Sequence, residues 1–454
     1  MAEATTQQVR IERMAYGPEA VGRLESGKTV FVAGAVPGDL VEVAVDREAE
    51  RYCNGHVSKV LEASPDRVMP ECPYAAVCGG CPWAQTSYEA QARHKRDGVV
   101  SALARIGRMG DERAEALVAP LVSPSAPWGY RNKVELAVVE RGGRLSLGMH
   151  AADGSGVVAV KACKLLDKGH QGVVKSVAGA LSYMANSHHL ELERVGVRVS
   201  TRTREVEVAL WDRPGGFPRA AVAKVLADAC KPTSVTRVMQ KGPAKARKIA
   251  GQERLAGRGS WGEVVGAERM RVSAPSFFQV NTKGAERLVE LVMEGLDPQE
   301  DEEAMDLYCG AGTFTLPLAR RAGFVSAVES YGPAVRDLRR NLDEARLDNV
   351  DPIGGDAGLE FPDTDADVIV VDPPRAGLAE QVVSQLSEQP ARAIAYVSCD
   401  PATLARDLAR FEERGTFEPV SVTPVDLFPQ TFHVETVTIL KRRAGRQFPL
   451  CRWE

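Results

Sequence analysis

A thiol set between a strand and the start of a helix is a candidate nucleophile, and Cys399 has that placement. The apolar run 393–397 before it is short enough for a buried strand, and Asp400-Pro401 after it offers a helix cap and a first-turn proline. Unpaired helix amides and the positive end of the helix dipole stabilise a thiolate at such a point. Taken alone, the ordinary reading of one cysteine is structural. Cys72, Cys78 and Cys81 fall within ten residues, with Gly79 and Gly80 between the last two. That spacing makes a ligand set, and Cys163 is the best-placed fourth thiol. Four thiolates suit tetrahedral zinc or a four-iron cluster. Spacing leaves both open, while three clustered cysteines with one distant favour iron–sulfur over the two short pairs of a structural zinc. Cys53, Cys230 and Cys451 stand apart and read as structural.

Carboxylates form the second set. Residues 303–308 read as a strand leading into Cys309-Gly310-Ala311-Gly312-Thr313, and the strand 325–328 ends on Glu329. A glycine turn with an acid at the tip of the next strand is how a doubly wound sheet holds a nucleoside. The third glycine of a dinucleotide fingerprint is missing, so a mononucleoside-like cofactor fits better. Asp356 follows Gly354-Gly355, and Asp372 opens Asp372-Pro373-Pro374-Arg375. Asp306, Gly310, Glu329, Asp356, Asp372 and Cys399 should therefore line one edge of a sheet. Glu435 stands near the start of the run 434–440 and, without context, is an ordinary surface residue of an edge strand.

The elements that must position these groups divide the chain into three. Short alternating runs between residues 9 and 60, broken by glycines and Pro37-Gly38-Asp39, predict a β-barrel of about five strands, a shape that often binds oligonucleotides. Strands over 134–138, 144–148, 195–200 and 205–210 with a helix over 220–230 predict a mixed α/β centre. Beyond it, strands and helices alternate, with helices over 314–322, 334–345 and 402–411, which predicts a mostly parallel doubly wound sheet. Its last two strands, 420–422 and 434–440, should form an antiparallel edge pair. The boundaries are 1–66, 67–270 and 271–454. The 454 residues carry a net charge of only −4, so a nucleic-acid role needs a local basic surface. One candidate is residues 237–258, with Lys241, Lys245, Arg247, Lys248 and Arg254; the plainer reading is a solvated face. With no export signal and no apolar stretch of ~18 residues, the expected setting is cytoplasmic, without membrane contact, and a monomer by default.

Taken in order, the motifs resemble the S-adenosylmethionine-dependent RNA uracil-C5 methyltransferases, the 23S rRNA and tRNA 5-methyluridine synthases. Besides the cysteine cluster, Asp306 to Gly312, Asp372-Pro373-Pro374-Arg375 and Ser398-Cys399-Asp400-Pro401, the match rests on Ser276-Phe277-Phe278-Gln279-Val280-Asn281 and His433-Val434-Glu435. The resemblance implies an α/β fold with a Rossmann-like class I methyltransferase sheet at the C-terminus and an N-terminal OB-like barrel of the TRAM type. It implies Cys399 as nucleophile and Glu435 as base. Gln279, Tyr308, Gly310, Thr313, Glu329, Asp356 and Asp372 match positions that contact S-adenosylmethionine. Phe277 and Arg375 match the target-base side, and a [4Fe-4S] cluster falls on Cys72, Cys78, Cys81 and Cys163. Family members often carry asparagine where this chain has Thr313, Asp356 and Asp400, which leaves individual hydrogen bonds in doubt. The RNA partner expected is 23S rRNA ahead of tRNA. Rival readings are an exocyclic-nitrogen methyltransferase, where Arg375 replaces the needed aromatic, a radical enzyme with different cysteine spacing, and an inactive RNA-binding iron–sulfur protein.

Overall fold

The computed structural model describes residues 6–141, 144–188, 190–243 and 247–443. Strands β1 (Thr6–Met14), β2 (Ala20–Arg23), β3 (Thr29–Ala33), β4 (Leu40–Glu48) and β5 (Tyr52–Glu62) close into a barrel in the order β1-β2-β3-β5-β4. Period-two alternation turns Val30, Val32, Val41 and Val43 inward, and all four are fully buried. Gly55 allows β4 and β5 to approach: a Cβ there would stand 2.4 Å from the Ala44 carbonyl oxygen. Cys53 is part of this apolar interior.

Helices α1 (Tyr88–Arg105) and α2 (Asp111–Leu117) follow the cysteine segment. They pack on the C-terminal sheet, where Val99, Leu103 and Ala114 share a core with Ile394, Leu408 and Phe417. Val118 and Val122 extend this contact through bridges to Val422 and Val425.

The central sheet runs β12-β11-β10-β9-β6-β7-β8. Its strands are β6 (Lys133–Arg141), β7 (Arg144–His150), β8 (Val157–Ala159), β9 (Leu192–Val199), β10 (Val206–Asp212), β11 (Ser234–Lys241) and β12 (Lys248–Gly257). Helices α3 (Gln171–Ala185) and α4 (Arg219–Cys230) cover one face through Val195, Val197, Val208 and Leu210. Residues of opposite parity, Arg194, Arg198 and Trp211, belong to the other face. There Arg198 donates to the carbonyls of Ser273, at 2.9 Å, and Ser276, which joins this sheet to the last third of the chain. The hairpin β13 (Trp261–Val265) and β14 (Glu268–Val272) lies between them.

The C-terminal sheet runs β17-β16-β15-β18-β19-β21-β20. It comprises β15 (Glu303–Leu307), β16 (Phe324–Glu329), β17 (Val350–Gly354), β18 (Val368–Val371), β19 (Ala393–Ser398), β20 (Phe417–Val425) and β21 (Glu435–Arg442). Strands β15 to β19 are parallel, while β21 is antiparallel to both β19 and β20. Helices α5 (Thr282–Leu296), α6 (Thr315–Ala319), α7 (Gly332–Ala345), α8 (Glu380–Glu388) and α9 (Pro401–Arg414) accompany it. Strand order reverses at β15, which opens a crevice at the carboxyl ends of the strands. The α/β architecture with its barrel is as expected. Two details differ. The helix expected over 314–322 is only α6, with Pro317 inside it. The last two strands do pair, yet β21 inserts between β19 and β20 and is not at the edge. Among the described residues no helix is long and apolar enough to cross a membrane.

Candidate active site

Beyond β15 the chain turns sharply: Tyr308, Gly310 and Gly312 have φ of +66°, +59° and +101°. At Gly312 a Cβ would stand 2.4 Å from Leu316 Cδ1, so both conformation and space demand glycine. Glu329, at the tip of β16, accepts the Gly310 amide at 3.0 Å and the Tyr331 amide at 2.6 Å on its two oxygens. Asp372, just past β18, is pushed up to about 7 by burial and the Glu329 charge. Asp356 accepts the Gly358 amide at 2.9 Å, and Thr313 lies half-buried ahead of α6. Gln279 is buried with Oε1 unpartnered, while its carbonyl accepts Asn132 Nδ2 at 2.9 Å. Asp306 departs from the expected edge position. It sits inside β15, fully buried, with the Thr315 hydroxyl donating at 2.6 Å, and burial pushes its carboxyl to about 8.

The ladder between β19 and β21 pairs Ser398 with Thr436. Antiparallel geometry then sets Cys399 and Glu435 beside each other at the ends of adjacent strands. Glu435 is 3% exposed with Oε2 unpartnered, and burial with the Asp372 charge pushes its carboxyl to about 8. Cys399 is pushed up to about 12, by burial first and then by Glu435 and Asp372, with Arg375 acting the other way. This overturns the expected thiolate stabilisation. Asp400 Oδ1 already accepts the Ala402 and Thr403 amides, at 2.9 and 3.0 Å. The start of α9 is satisfied by a carboxylate whose charge also disfavours the thiolate. Arg375 Nη2 lies 3.5 Å from His433 Nε2. His433 is pushed down to about 4 by burial and by Arg375, Lys95 and Arg131, so it is neutral. Phe277 is 67% exposed on the segment that carries Gln279.

Other parts of the site carry no signal in the sequence. Tyr16, from the barrel, meets Phe432 edge-on with ring centroids 6.0 Å apart. Partial desolvation and the charges of Asp400 and Cys399 raise its phenol, although 42% of the residue stays exposed. Trp83 donates its indole N–H to the Gly17 carbonyl at 3.2 Å and its amide to the Gln430 carbonyl at 3.1 Å. Lys95, fully buried on α1, donates to Asp426 Oδ1 at 2.6 Å and to the Phe428 carbonyl at 3.0 Å.

Cys72, Cys78, Cys81 and Cys163 line one cavity of about 360 Å³, shared with Arg131 and Lys133. Burial and then the Cys163 charge push Cys81 up to about 12, with Arg131 opposing; Cys78 is raised as well. A metal that binds such thiols displaces their protons, and the cavity wall also holds Arg131, Lys164 and Lys133, the last paired with Glu135 at 2.7 Å. Four thiols facing one cavity are soft donors of the kind that bind metals as thiolates. Among the described residues no three His, Cys, Asp or Glu side chains are arranged to hold a single metal ion. Cys309 is buried among apolar neighbours, Cys230 Sγ reaches the Leu226 carbonyl at 3.3 Å, and Cys451 lies outside the described residues.

Comparison with known proteins bears on this arrangement. The family described as tRNA (Uracil-5-)-methyltransferase matches residues 264–364 and 356–443, and the TRAM domain matches residues 3–58. An uncharacterized RNA methyltransferase of Gloeobacter violaceus is 33% identical, over 97% of this chain and 98% of that protein. One from Streptomyces avermitilis is 35% identical over 96% and 98%. Among solved structures, the Pyrococcus abyssi tRNA (uracil-54, C5)-methyltransferase in complex with S-adenosyl-L-homocysteine superposes with a TM-score of 0.74. It is 24% identical and covers 97% of this chain and 100% of its own, a likeness of fold.

Proposed function

The chain belongs to the RNA uracil-5-methyltransferase family, and from that premise we propose that it methylates C5 of a uridine in 23S rRNA through a covalent adduct on Cys399. The observation that supports this reading is the Ser398–Thr436 pair that ends the β19–β21 ladder, because antiparallel register then brings Cys399 and Glu435 side by side. Uracil C5 is a weak nucleophile, and addition of Cys399 Sγ to C6 turns the ring into an enolate whose charge reaches C5. The Sγ–C6 bond forms as the thiol proton passes to water, and C5 gains the methyl as the methyl–sulfonium bond breaks to leave a neutral thioether. Glu435 then removes the C5 proton, the electron pair restores C5=C6, and the Sγ–C6 bond breaks. S-adenosylmethionine, when bound, supplies the electrophilic methyl on a positively charged sulfonium. Glu329, Asp356, Asp372 and Gln279 would hold it; the unpartnered Gln279 Oε1 and the acids Asp372 and Glu435 suit a cationic ligand rich in hydrogen-bond donors. Phe277 and Arg375 face the target nucleotide, which must leave any stack to reach the thiol.

The test is mass mapping of nuclease-digested rRNA and tRNA from cells with and without the gene. The expected result is loss of one 23S methyluridine, restored by wild type and not by Cys399→Ala. Glu435→Gln should accumulate a covalent protein–RNA adduct, seen as a band shifted on a denaturing gel. Wild-type product release by that variant removes its role as base. A second reading, tRNA as substrate, is supported by the family's description; loss of a tRNA methyluridine instead would select it.

Cys72, Cys78, Cys81 and Cys163 would hold a [4Fe-4S] cluster, and no step of the reaction runs through it. It would order the segment that Trp83 fastens to Gly17 and Gln430. Iron and acid-labile sulfide should co-purify with the chain under anaerobic conditions and be lost in Cys163→Ser. Zinc in their place would reverse the assignment.

A further inference from the structure

The basic stretch 237–258 is split by the fold. Arg237 is absorbed, buried against Asp212 and Glu253, and Lys245 lies outside the described residues. Arg247 and Lys248 instead line a cavity of about 570 Å³ on the face of the central sheet opposite α3 and α4. Arg194 and Trp211 on that face, and Tyr331 and Arg336 from the C-terminal unit, line it as well. Four of its lining residues are cations and none is an acid. Arg194 is held by Glu135 at 2.7 Å and Arg247 by Glu193 at 2.5 Å. Lys248 and Arg336 have no ion pair among the described residues. The Arg194 guanidinium lies 3.8 Å over the Trp211 ring, which presents a flat, stacked, positively charged surface.

Two chain segments link the groove to the candidate active site. Pro275 lines it two residues before Phe277, and the Tyr331 amide is bound by Glu329. Unopposed cations recognise phosphodiesters, and aromatic and guanidinium planes stack bases. We propose that this groove binds a single-stranded segment flanking the target uridine, with phosphates at Lys248 and Arg336 and a base against Tyr331 and Arg194. The proposal rests on the reading of the substrate as RNA.

The probe is a fluorescein-labelled oligouridylate of about 12 nucleotides, followed by anisotropy across a potassium chloride series with the full chain. Lys248→Ala/Arg336→Ala should lower the slope of log K against log salt by ~1.4, two contacts at ~0.7 each. Its KM for rRNA should rise while its KM for S-adenosylmethionine stays put, which also certifies folding. Lys248→Arg/Arg336→Lys should restore the slope. Lys175→Ala/Lys224→Ala, on the helices behind the sheet, should leave it unchanged. An unchanged slope in the first variant overturns the groove, as does equal wild-type binding of an oligoglutamate peptide. A wild type that binds oligouridylate through this groove yet methylates no RNA would keep the groove and overturn the enzymatic reading.

Discussion

At the scale of single residues, the two groups meant to do the chemistry rest in their unreactive forms. Glu435, pushed to about 8, and Cys399, pushed to about 12, both hold protons at neutral pH. Desolvation is the leading cause for each, so the reactive state belongs to the loaded site. A thiol raised above its ordinary value is deprotonated only at higher pH, and the thiolate is the species that alkylates. The rate of Cys399 alkylation by iodoacetamide, followed by peptide mass in the free protein, should climb about tenfold per pH unit from 7 to 10. A plateau near pH 8 would mean that burial does not control this thiol. Cys399 stood out in the sequence by its place between strand and helix, whereas Glu435 was singled out only by the family resemblance. Their protonation was not legible, because the opposing carboxylates are brought in by other strands. Lys95 was invisible for a related reason: nothing near it in the chain marks a lysine for burial.

At the scale of elements, the strand–cap–helix unit around Cys399 was readable because its signals are local. Asp400 caps, Pro401 occupies the first turn, and Gly415 closes α9 in the left-handed region with φ of +68°. What the local signals hid is that the cap consumes the amides a thiolate would use. Asp400→Asn retains a capping oxygen and removes the charge. It should therefore leave the thermal midpoint close to wild type while moving the Cys399 alkylation profile to lower pH. Asp400→Ala should move the profile too, at a cost of about 1 kcal/mol in stability. An unmoved profile in both variants would clear Asp400 of any influence. Strand order is different in kind. The apolar run that becomes β21 reads the same at an edge or in the interior, and only its insertion beside β19 brings Glu435 to Cys399. Helix α1 was also missed, since buried Gln91 and Lys95 interrupt its apolar face.

At the scale of the whole molecule, barrel, cysteine segment and C-terminal sheet meet on the loop 426–434. The Lys95–Asp426 pair, with both side chains at 0% exposure, is the centre of that junction. Removing one partner of a buried pair strands the other charge and costs ~3–5 kcal/mol, whereas an apolar replacement of both can be neutral. Lys95→Met should thus lower the denaturant midpoint sharply, and Lys95→Met/Asp426→Leu should recover most of the loss. Equal losses in the single and double variants would show that packing, not charge, decides this site.

The same pair sets a schedule for the newborn chain. Lys95 and Asp426 are 331 residues apart, and synthesis proceeds at ~5–20 residues per second. Helix α1 must therefore wait roughly 20–60 s for the surface it is built to cover. Throughout that interval its apolar residues and its ammonium group remain in water or in the keeping of some other protein. The reactive corner can close only once Glu435 has been made, so a nascent fragment that stops short of that residue carries a thiol without its neighbouring acid.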